Sequence, residues 1–487
     1  MPLKPRPLIT RSVGALACAA ALWHTPALAD ELPTRITLGA EVVHLPAGER
    51  MGLAGGAVLF DAGDAWWLGP AVYGAASGSR GGLFVGGLQV LKRWPIAPRW
   101  WLQASAYAGG GGGGSAPVGG GLMWRPELAV MHEFGAFEAG LGWSHVRFAT
   151  GDIASSQLGV LLSWRGDFVH RGLDAGATHG PARTGFGFDE LAGTATRYNL
   201  RNTPGRRIGL VGARAEHASG TRAEGAGDAW RWGIEAAAAA QGDAAGYMEI
   251  LGTLGRDIAL GADAPTAPRI TLRGALGLGG GGAVPTGGGA IGKLAAGLAW
   301  PLGNGVSVGA EAGIVRALDA PLRARTAQLW LSMNLEPPAA APAVRSEWAA
   351  TIQGYAHARR VDGSSRDLQT IGLKLNRYVG ESLYLSAQAH SAFAGGAGAY
   401  SVGLVGAGLA TRAVDAPWQF GAELLAGAAG GGGVVTGGGA IVQALAWAGW
   451  RWRPEQQWRL GVGAVRSLRG DLSTPIAELT WMRAFGL

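Results

Sequence analysis

The chain has one cysteine, Cys18, and only 15% of its 487 residues are charged. A soluble enzyme of this length normally carries about a quarter of its residues as Asp, Glu, Lys and Arg. One cysteine permits no intrachain disulfide and no thiolate metal cluster. A long apolar helix is missing too. The best candidate, Leu424 to Trp450, runs 27 residues without a charge. Its many glycines would each cost a helix about 1 kcal/mol relative to alanine, and it divides naturally into strand, glycine-rich turn, strand. A basic stripe is also lacking. The longest basic runs are pairs such as Arg206-Arg207 and Arg359-Arg360, so the net charge of +7 is no nucleic-acid signal.

What is abundant is glycine, 86 residues, more than twice the usual share of about 7%. The glycines cluster and do not recur every third residue, which excludes collagen. With 20 Trp, 11 Phe and 8 Tyr, the chain has ample apolar surface to bury, which excludes disorder. A glycine-rich, aromatic-rich all-β protein remains.

Residues 1–29 read as a secretory signal peptide. Lys4, Arg6 and Arg11 precede an uncharged run from Ser12 to Trp23, and Ala27-Leu28-Ala29 supplies the small-x-small cleavage pattern. The run is too short to span a bilayer as a helix. Cleavage before Asp30 removes Cys18 and three of the 41 basic residues, leaving 38 against 34 acidic ones.

The remainder reads as three copies of one unit. A double glycine box recurs: Gly109 to Gly114 then Gly119-Gly120-Gly121; Gly279 to Gly282 then Gly287-Gly288-Gly289; Gly430 to Gly433 then Gly437-Gly438-Gly439. Other markers keep step. Ala97-Pro98, Ala267-Pro268 and Ala416-Pro417 precede the boxes. Val146-Arg147, Val315-Arg316 and Val465-Arg466 follow them. Met51-Gly52-Leu53, Ile208-Gly209-Leu210 and Ile371-Gly372-Leu373 stand near the starts. Markers in one order three times signal a structural repeat. The expected organisation is repeat 1 over 30–164, a linker over 165–187, repeat 2 over 188–333, a Pro/Ala-rich linker over 334–347 and repeat 3 over 348–487.

Each unit divides into about eight segments of alternating hydrophobicity, long enough for tilted strands to cross a bilayer. In repeat 3 one face carries Ile371, Leu373, Leu375, Leu383, Leu385, Val442, Ala444 and Trp450. The other carries Gln353, Tyr355, His357, Arg359, Lys374, Asn376, Tyr384, Gln388, His390, Gln419, Glu423, Gln443, Arg459 and Glu478. One face suits lipid and the other a lumen. Trp418, Trp450, Trp452, Trp458 and Trp481 near strand ends suit an aromatic girdle.

These features resemble bacterial outer-membrane β-barrel proteins as a superfamily. The resemblance rests on the signal peptide, the alternating repeat and the last strand, whose alternate residues read Ala477, Leu479, Trp481, Arg483, Phe485 and Leu487. It implies an outer-membrane location in a Gram-negative cell, contact with outer-membrane lipids and insertion by the barrel-assembly machinery. The family's terminal strand usually ends on an aromatic; here Phe485 stands two residues early and Arg483 interrupts the apolar row.

Twenty-four strands allow one wide barrel or three tandem eight-stranded barrels. A wide barrel needs a plug, and no insert is large enough. Pro337-Pro338 and Pro342 make a stiff linker between units. Gly421, Gly461 and Gly463 leave room for Tyr355, His357, Tyr384 and His390 in a narrow lumen. Three tandem barrels are therefore expected; a single large, porin-like barrel closed by a plug or periplasmic partner is the alternative.

Chemistry signals are weak. Gly287 to Lys293 approaches a phosphate loop but puts Leu294 where Ser or Thr belongs. Ser144-His145 and His390-Ser391 are adjacent Ser/His pairs, and neighbours on a strand point to opposite faces. His170 and His179, with Asp167 and Asp174, match no metal spacing. No catalytic, cofactor or metal site is expected. The glycine boxes read as hairpins that turn tightly or pack closely. The expected function is a non-enzymatic outer-membrane scaffold or narrow polar solute path. A large exporter barrel and a lipid A-modifying enzyme are the alternatives.

Overall fold

The computed structural model describes residues 31–170, 185–201, 206–219, 229–261, 267–335, 344–411 and 417–487. The signal peptide, Asp174 and His179 lie outside the described residues.

Barrel 1 comprises β1 (Glu31–His44), β2 (Arg50–Asp61), β3 (Trp66–Ser77), β4 (Phe84–Ala97), β5 (Trp100–Gly112), β6 (Met123–Phe134), β7 (Phe137–Phe148) and β8 (Ala154–Val169). Barrel 2 comprises β9 (Glu190–Leu200), β10 (Arg207–Ser219), β11 (Ala229–Gln241), β12 (Met248–Ala259), β13 (Arg269–Gly280), β14 (Ala290–Gly303), β15 (Val306–Ala317) and β16 (Arg323–Asn334). Barrel 3 comprises β17 (Arg345–Arg359), β18 (Ser365–Tyr378), β19 (Leu383–Ala394), β20 (Ser401–Ala410), β21 (Trp418–Gly430), β22 (Ala440–Arg453), β23 (Gln456–Ser467) and β24 (Ser473–Gly486). All pairs are antiparallel, and β1 pairs with β8, β9 with β16 and β17 with β24. Each set of eight closes on itself, so the sheets do not merge into one wide barrel. The strands also overrun the expected linkers: β8 continues to Val169 and β17 begins at Arg345.

The barrels are apolar outside and charged inside. Leu158 is 73% exposed and Leu424 67%, while Arg35 is 2% and Glu347 0% exposed. Trp66, Trp94, Trp100, Phe134 and Phe137 stand exposed around the end of barrel 1 where its chain begins and ends. Trp230 and Trp300 occupy that end of barrel 2, and Trp418 and Trp450 that of barrel 3. An aromatic belt beside an apolar band marks a membrane interface.

Two expectations about repeat 3 need correction. The second strands carry a register shift at Gly52/Leu53, Gly209/Leu210 and Gln369/Thr370. The equivalent of Met51 and Ile208 is therefore Leu368, not Ile371; all three are fully buried inside. Gly372 corresponds instead to Gly55 and Gly212. The other correction concerns His357 and Arg359. The β17–β18 register shifts between Tyr355 and Ala358, and His357 takes a left-handed φ of 56°. This bulge reverses the alternation, so both side chains point out of the lumen and are exposed.

The inward glycines make room for rings, but across the hydrogen-bonded pair rather than across the lumen. Gly55 is registered with Tyr73, Gly309 with Trp330, Gly408 with Tyr384 and Gly421 with Trp447. A Cβ on any of them would come within 2.2–2.3 Å of its partner's ring. Gly461 and Gly463 serve differently: Leu445 lies over the first, and the Ala444 carbonyl crowds the second.

The glycine boxes join the barrels. The β3–β4 turn of barrel 1 enters the box of barrel 2, where Gly81 N donates to Gly287 O at 2.7 Å. The equivalent turn of barrel 2 enters the box of barrel 3: a Cβ on Gly430 would lie 2.1 Å from Gly246 N. The turn of barrel 3 returns to the box of barrel 1, with Gly398 N donating to Gly119 O at 3.3 Å. Three head-to-tail contacts thus close a ring. Arginines cap the box carbonyls: Arg80 donates to Ser115 O at 2.6 Å, Arg206 to Ala283 O at 2.9 Å and Arg360 to Gly432 O at 3.0 Å.

At the opposite end barrels 1 and 3 also meet through rings. Trp348 lies 5.5 Å from Phe60 and 4.8 Å from Phe168, and Phe168 lies 5.2 Å from Phe485. Higher up, Leu88 of β4 packs with Ala350, Ile352, Leu479 and Trp481. The outward Leu479, Trp481 and Phe485 of the last strand therefore lie against barrel 1 instead of lipid. Trp481, expected in the girdle, is 6% exposed.

Candidate functional site

A barrel's working surface is its lumen, and the three lumens here are filled alike. Each holds a cation between two carboxylates near its middle. In barrel 1, Arg125 donates to both oxygens of Glu41 at 2.8 and 2.9 Å and to Glu127 at 2.5 Å. In barrel 2, Lys293 donates to Glu235 at 2.6 Å and Glu249 at 3.2 Å. In barrel 3, Lys374 donates to Glu478 at 2.7 Å and Glu423 at 2.9 Å. Burial without a partner is prohibitive for such groups, and these charges answer one another.

Nearer the termini a second charged layer follows. Arg35 and Arg93 share Glu138 at 2.6 and 2.8 Å, stacked on Trp67 and Trp101. Arg231 pairs with Asp257 at 2.5 Å and Glu190 at 2.9 Å, while Arg273 meets Glu216 at 3.0 Å. Arg459 pairs with Glu347 at 3.0 Å and lies 3.8 Å over the Trp447 ring. Toward the glycine end each lumen is capped by buried apolar side chains: Leu45, Leu83, Val118 and Ile153 in barrel 1; Leu200, Ile208, Val284 and Leu322 in barrel 2; Leu368, Val434 and Leu472 in barrel 3.

Of the expected lumen residues in repeat 3, Gln353, Tyr355, Lys374, Asn376, Tyr384, Gln388, His390, Gln419, Glu423, Gln443, Arg459 and Glu478 are all buried inside the barrel. Many are bonded together. Gln353 donates to Glu478 at 2.6 Å, Tyr355 to Gln353 at 3.2 Å, Tyr384 to Glu423 at 2.9 Å and Asn376 to Glu347 at 3.0 Å. Gln457 donates to Gln419 at 3.2 Å. His357 stands outside, beside Asp367 at 3.5 Å. Sequence reasoning missed the ion-paired arginines of barrels 1 and 2. The usable signal was opposite charges two apart on one strand, Arg125 with Glu127 and Arg214 with Glu216, which share a face. Lys293, which ended the near-phosphate loop, is committed inside barrel 2.

The adjacent Ser/His pairs separate as strand geometry requires. Ser144 points inward and donates to Glu41 at 2.5 Å, while His145 points outward. The structure does bring His145 Nδ1 within 2.8 Å of Ser156 Oγ across β7–β8. Among the described residues no carboxylate bonds the other ring nitrogen, and an activated serine needs its base oriented by a third group. Among the described residues no cluster of His, Cys, Asp and Glu could hold a metal ion.

An apolar exterior, an aromatic belt and charged interiors are the pattern of a β-barrel standing in a membrane. No family model and no curated protein matches the chain. Similar solved structures include the siderophore receptor PirA from Pseudomonas aeruginosa, with 11% identity, 95% of this chain and 81% of that chain covered, and a TM-score of 0.29. PirA from Acinetobacter baumannii gives 8%, 95%, 81% and 0.30, and the FrpB iron transporter from Neisseria meningitidis 10%, 94%, 82% and 0.28. Likeness at this level does not reach the arrangement of the whole chain. The roles in those names are those proteins' own.

Proposed function

We propose that the protein is a non-enzymatic scaffold of the outer membrane, a single-chain cluster of three barrels whose lumens are shut. The observation that carries this is the repeated filling: in every lumen a buried cation bridges two carboxylates below an apolar cap. A conducting path needs groups that a solute can displace, whereas these charges are committed to each other. The work then falls to the outer wall and the glycine-end turns, which meet lipid and whatever lies beyond it. Outer-membrane lipids and the barrel-assembly machinery are the partners this reading requires. Planar-bilayer recording of the purified full chain tests it: a silent bilayer is expected, and resolved single-channel steps would replace the scaffold with a solute path.

A further inference from the structure

Barrel 3 carries its lumen cation on another strand: Lys374 lies on β18, whereas Arg125 lies on β6 and Lys293 on β14. Four residues after the last box glycine, barrel 1 has Arg125 and barrel 2 has Lys293, each crossing its lumen to an acid. The same position in barrel 3 is Gln443, which is shorter and uncharged. The strand facing it shows a matching change. Ala75, Ala239 and Ala392 are equivalent, since each donates its N–H to the carbonyl of Leu83, Tyr247 or Tyr400. Counting back along the inward face, Ala71 and Tyr73 correspond to Glu235 and Ala237, and to Gln388 and His390. Arg125 reaches Tyr73 at 3.4 Å, and Lys293 reaches Glu235 at 2.6 Å. Gln443, Gln388 and His390 therefore occupy positions that touch in the other barrels.

In barrel 3 no hydrogen bond joins them. Both amide atoms of Gln388, both of Gln443 and both ring nitrogens of His390 have no hydrogen-bond partner, although the three residues are 5%, 1% and 2% exposed. Nearby carboxylates offer no relief, because Glu423 and Glu478 are held by Lys374, Tyr384 and Gln353. Native interiors rarely leave whole polar groups unsatisfied. Two buried amides and an imidazole, each side chain offering a donor and an acceptor, suit ordered water.

We infer that barrel 3 encloses a polar chamber between Gln388, His390 and Gln443 that binds water molecules bridging the three side chains, while the equivalent spaces of barrels 1 and 2 are filled by Arg125 and Lys293. This goes beyond the scaffold reading, which requires only that the lumens be shut. The chamber takes small, neutral, hydrogen-bonding guests, because the flanking charges are already paired and the apolar cap excludes larger ones.

A high-resolution crystal structure of the full chain, with water-oxygen relaxation dispersion in solution, tests this. Density within hydrogen-bond distance of at least two of the three side chains is expected, with a long-lived water signal that falls in Gln388→Met/Gln443→Met. Gln388→Glu/Gln443→Lys, which rebuilds the barrel 2 pair, supplies a second variant should the first fail to fold, and it should lose the same signal. An empty gap, direct bonding among the three side chains, or a signal unchanged in a folded variant would overturn the inference.

Discussion

The inside of each barrel and the seams between barrels are filled by opposite means. Inside, Arg125, Lys293 and Lys374 sit between paired carboxylates, and layers of charge run down the lumen. Between barrels the main contacts are glycine backbone at one end and edge-to-face rings at the other. The difference follows from the solvent. A lumen wall is shielded from lipid, so ionic groups can stand there if they satisfy one another. A seam is continuous with lipid and favours close approach of small residues and rings, as helices do in bilayers. The lumens are therefore sensitive to losing one charge, and the seams to gaining one methyl.

The largest effect should come from removing a lumen cation. Arg125→Met leaves Glu41 and Glu127 buried without their partner, a loss of about 3–5 kcal/mol. Lys293→Met should cost about as much. Gln443→Met, at the same position in barrel 3, should cost little, because it removes an amide without a protein partner. Urea unfolding of the protein in lipid vesicles measures all three, and equal costs would erase the distinction among the barrels.

The second prediction breaks a seam. Gly430→Val drives a side chain into Gly246 N, 2.1 Å from the first added carbon, and overpacking of this kind costs about 1–3 kcal/mol. Spin labels on barrels 2 and 3 should move apart. Gly403 on the same barrel is the control, since a Cβ there meets nothing within 4 Å. If Gly403→Val separates the barrels equally, the box is not the joint.

How far the sequence discloses this depends on the range of the interaction. Strands and faces were legible, because alternation along one strand reports which side chains share a side. Alternation grouped Tyr384, Glu423 and Glu478 on one face, and the signal peptide, the lack of cysteine in the mature chain and the Trp residues near strand ends favoured that face as the lumen. His357 and Arg359 could not be placed this way, because the bulge that turns them out depends on pairing with β18. The glycine boxes announced the triplication but not their use, since Gly430 and Gly246 are distant in sequence and meet only when separate barrels dock. Replacement of Lys293 by Gln443 was visible in the aligned copies. Its meaning needed the contacts of Arg125 with Tyr73 and Lys293 with Glu235, whose counterparts in barrel 3 are His390 and Gln388.

A third prediction sharpens the seam at the terminal end, where rings join barrels 1 and 3. Phe485→Leu keeps an apolar side chain but loses the edge contacts with Phe168 at 5.2 Å and Trp348 at 5.6 Å. Such contacts contribute about 0.5–1.5 kcal/mol beyond burial. Labels on barrels 1 and 3 should show a broader distance distribution, while labels on barrels 2 and 3 stay as before. Movement in both pairs would mean that the two ends of the cluster are one mechanical unit.

The smallest effect lies outside both lumen and seam. Glu49, in the β1–β2 turn, accepts from Arg80 Nε at 2.9 Å and Nη2 at 2.5 Å, and from Ser79 at 2.7 Å. The Arg80 and Ser79 hydrogen bonds hold its carboxyl below the ordinary value of 4.5. A carboxyl whose folded pKa is depressed stabilises above its unfolded pKa and loses that contribution as pH falls through the folded value. The clip is partly open to solvent and is therefore screened by salt. Acidification below the ordinary Glu value should free Arg80 to favour the Ser115 carbonyl alone. Amide exchange across Ser79 to Leu83 should then quicken, and Glu49→Gln should show the faster exchange already at neutral pH. Because that turn carries Gly81 into the barrel 2 box, faster exchange there without separation of barrels 1 and 2 would show that the glycine contact, and not the ionic clip above it, holds the seam.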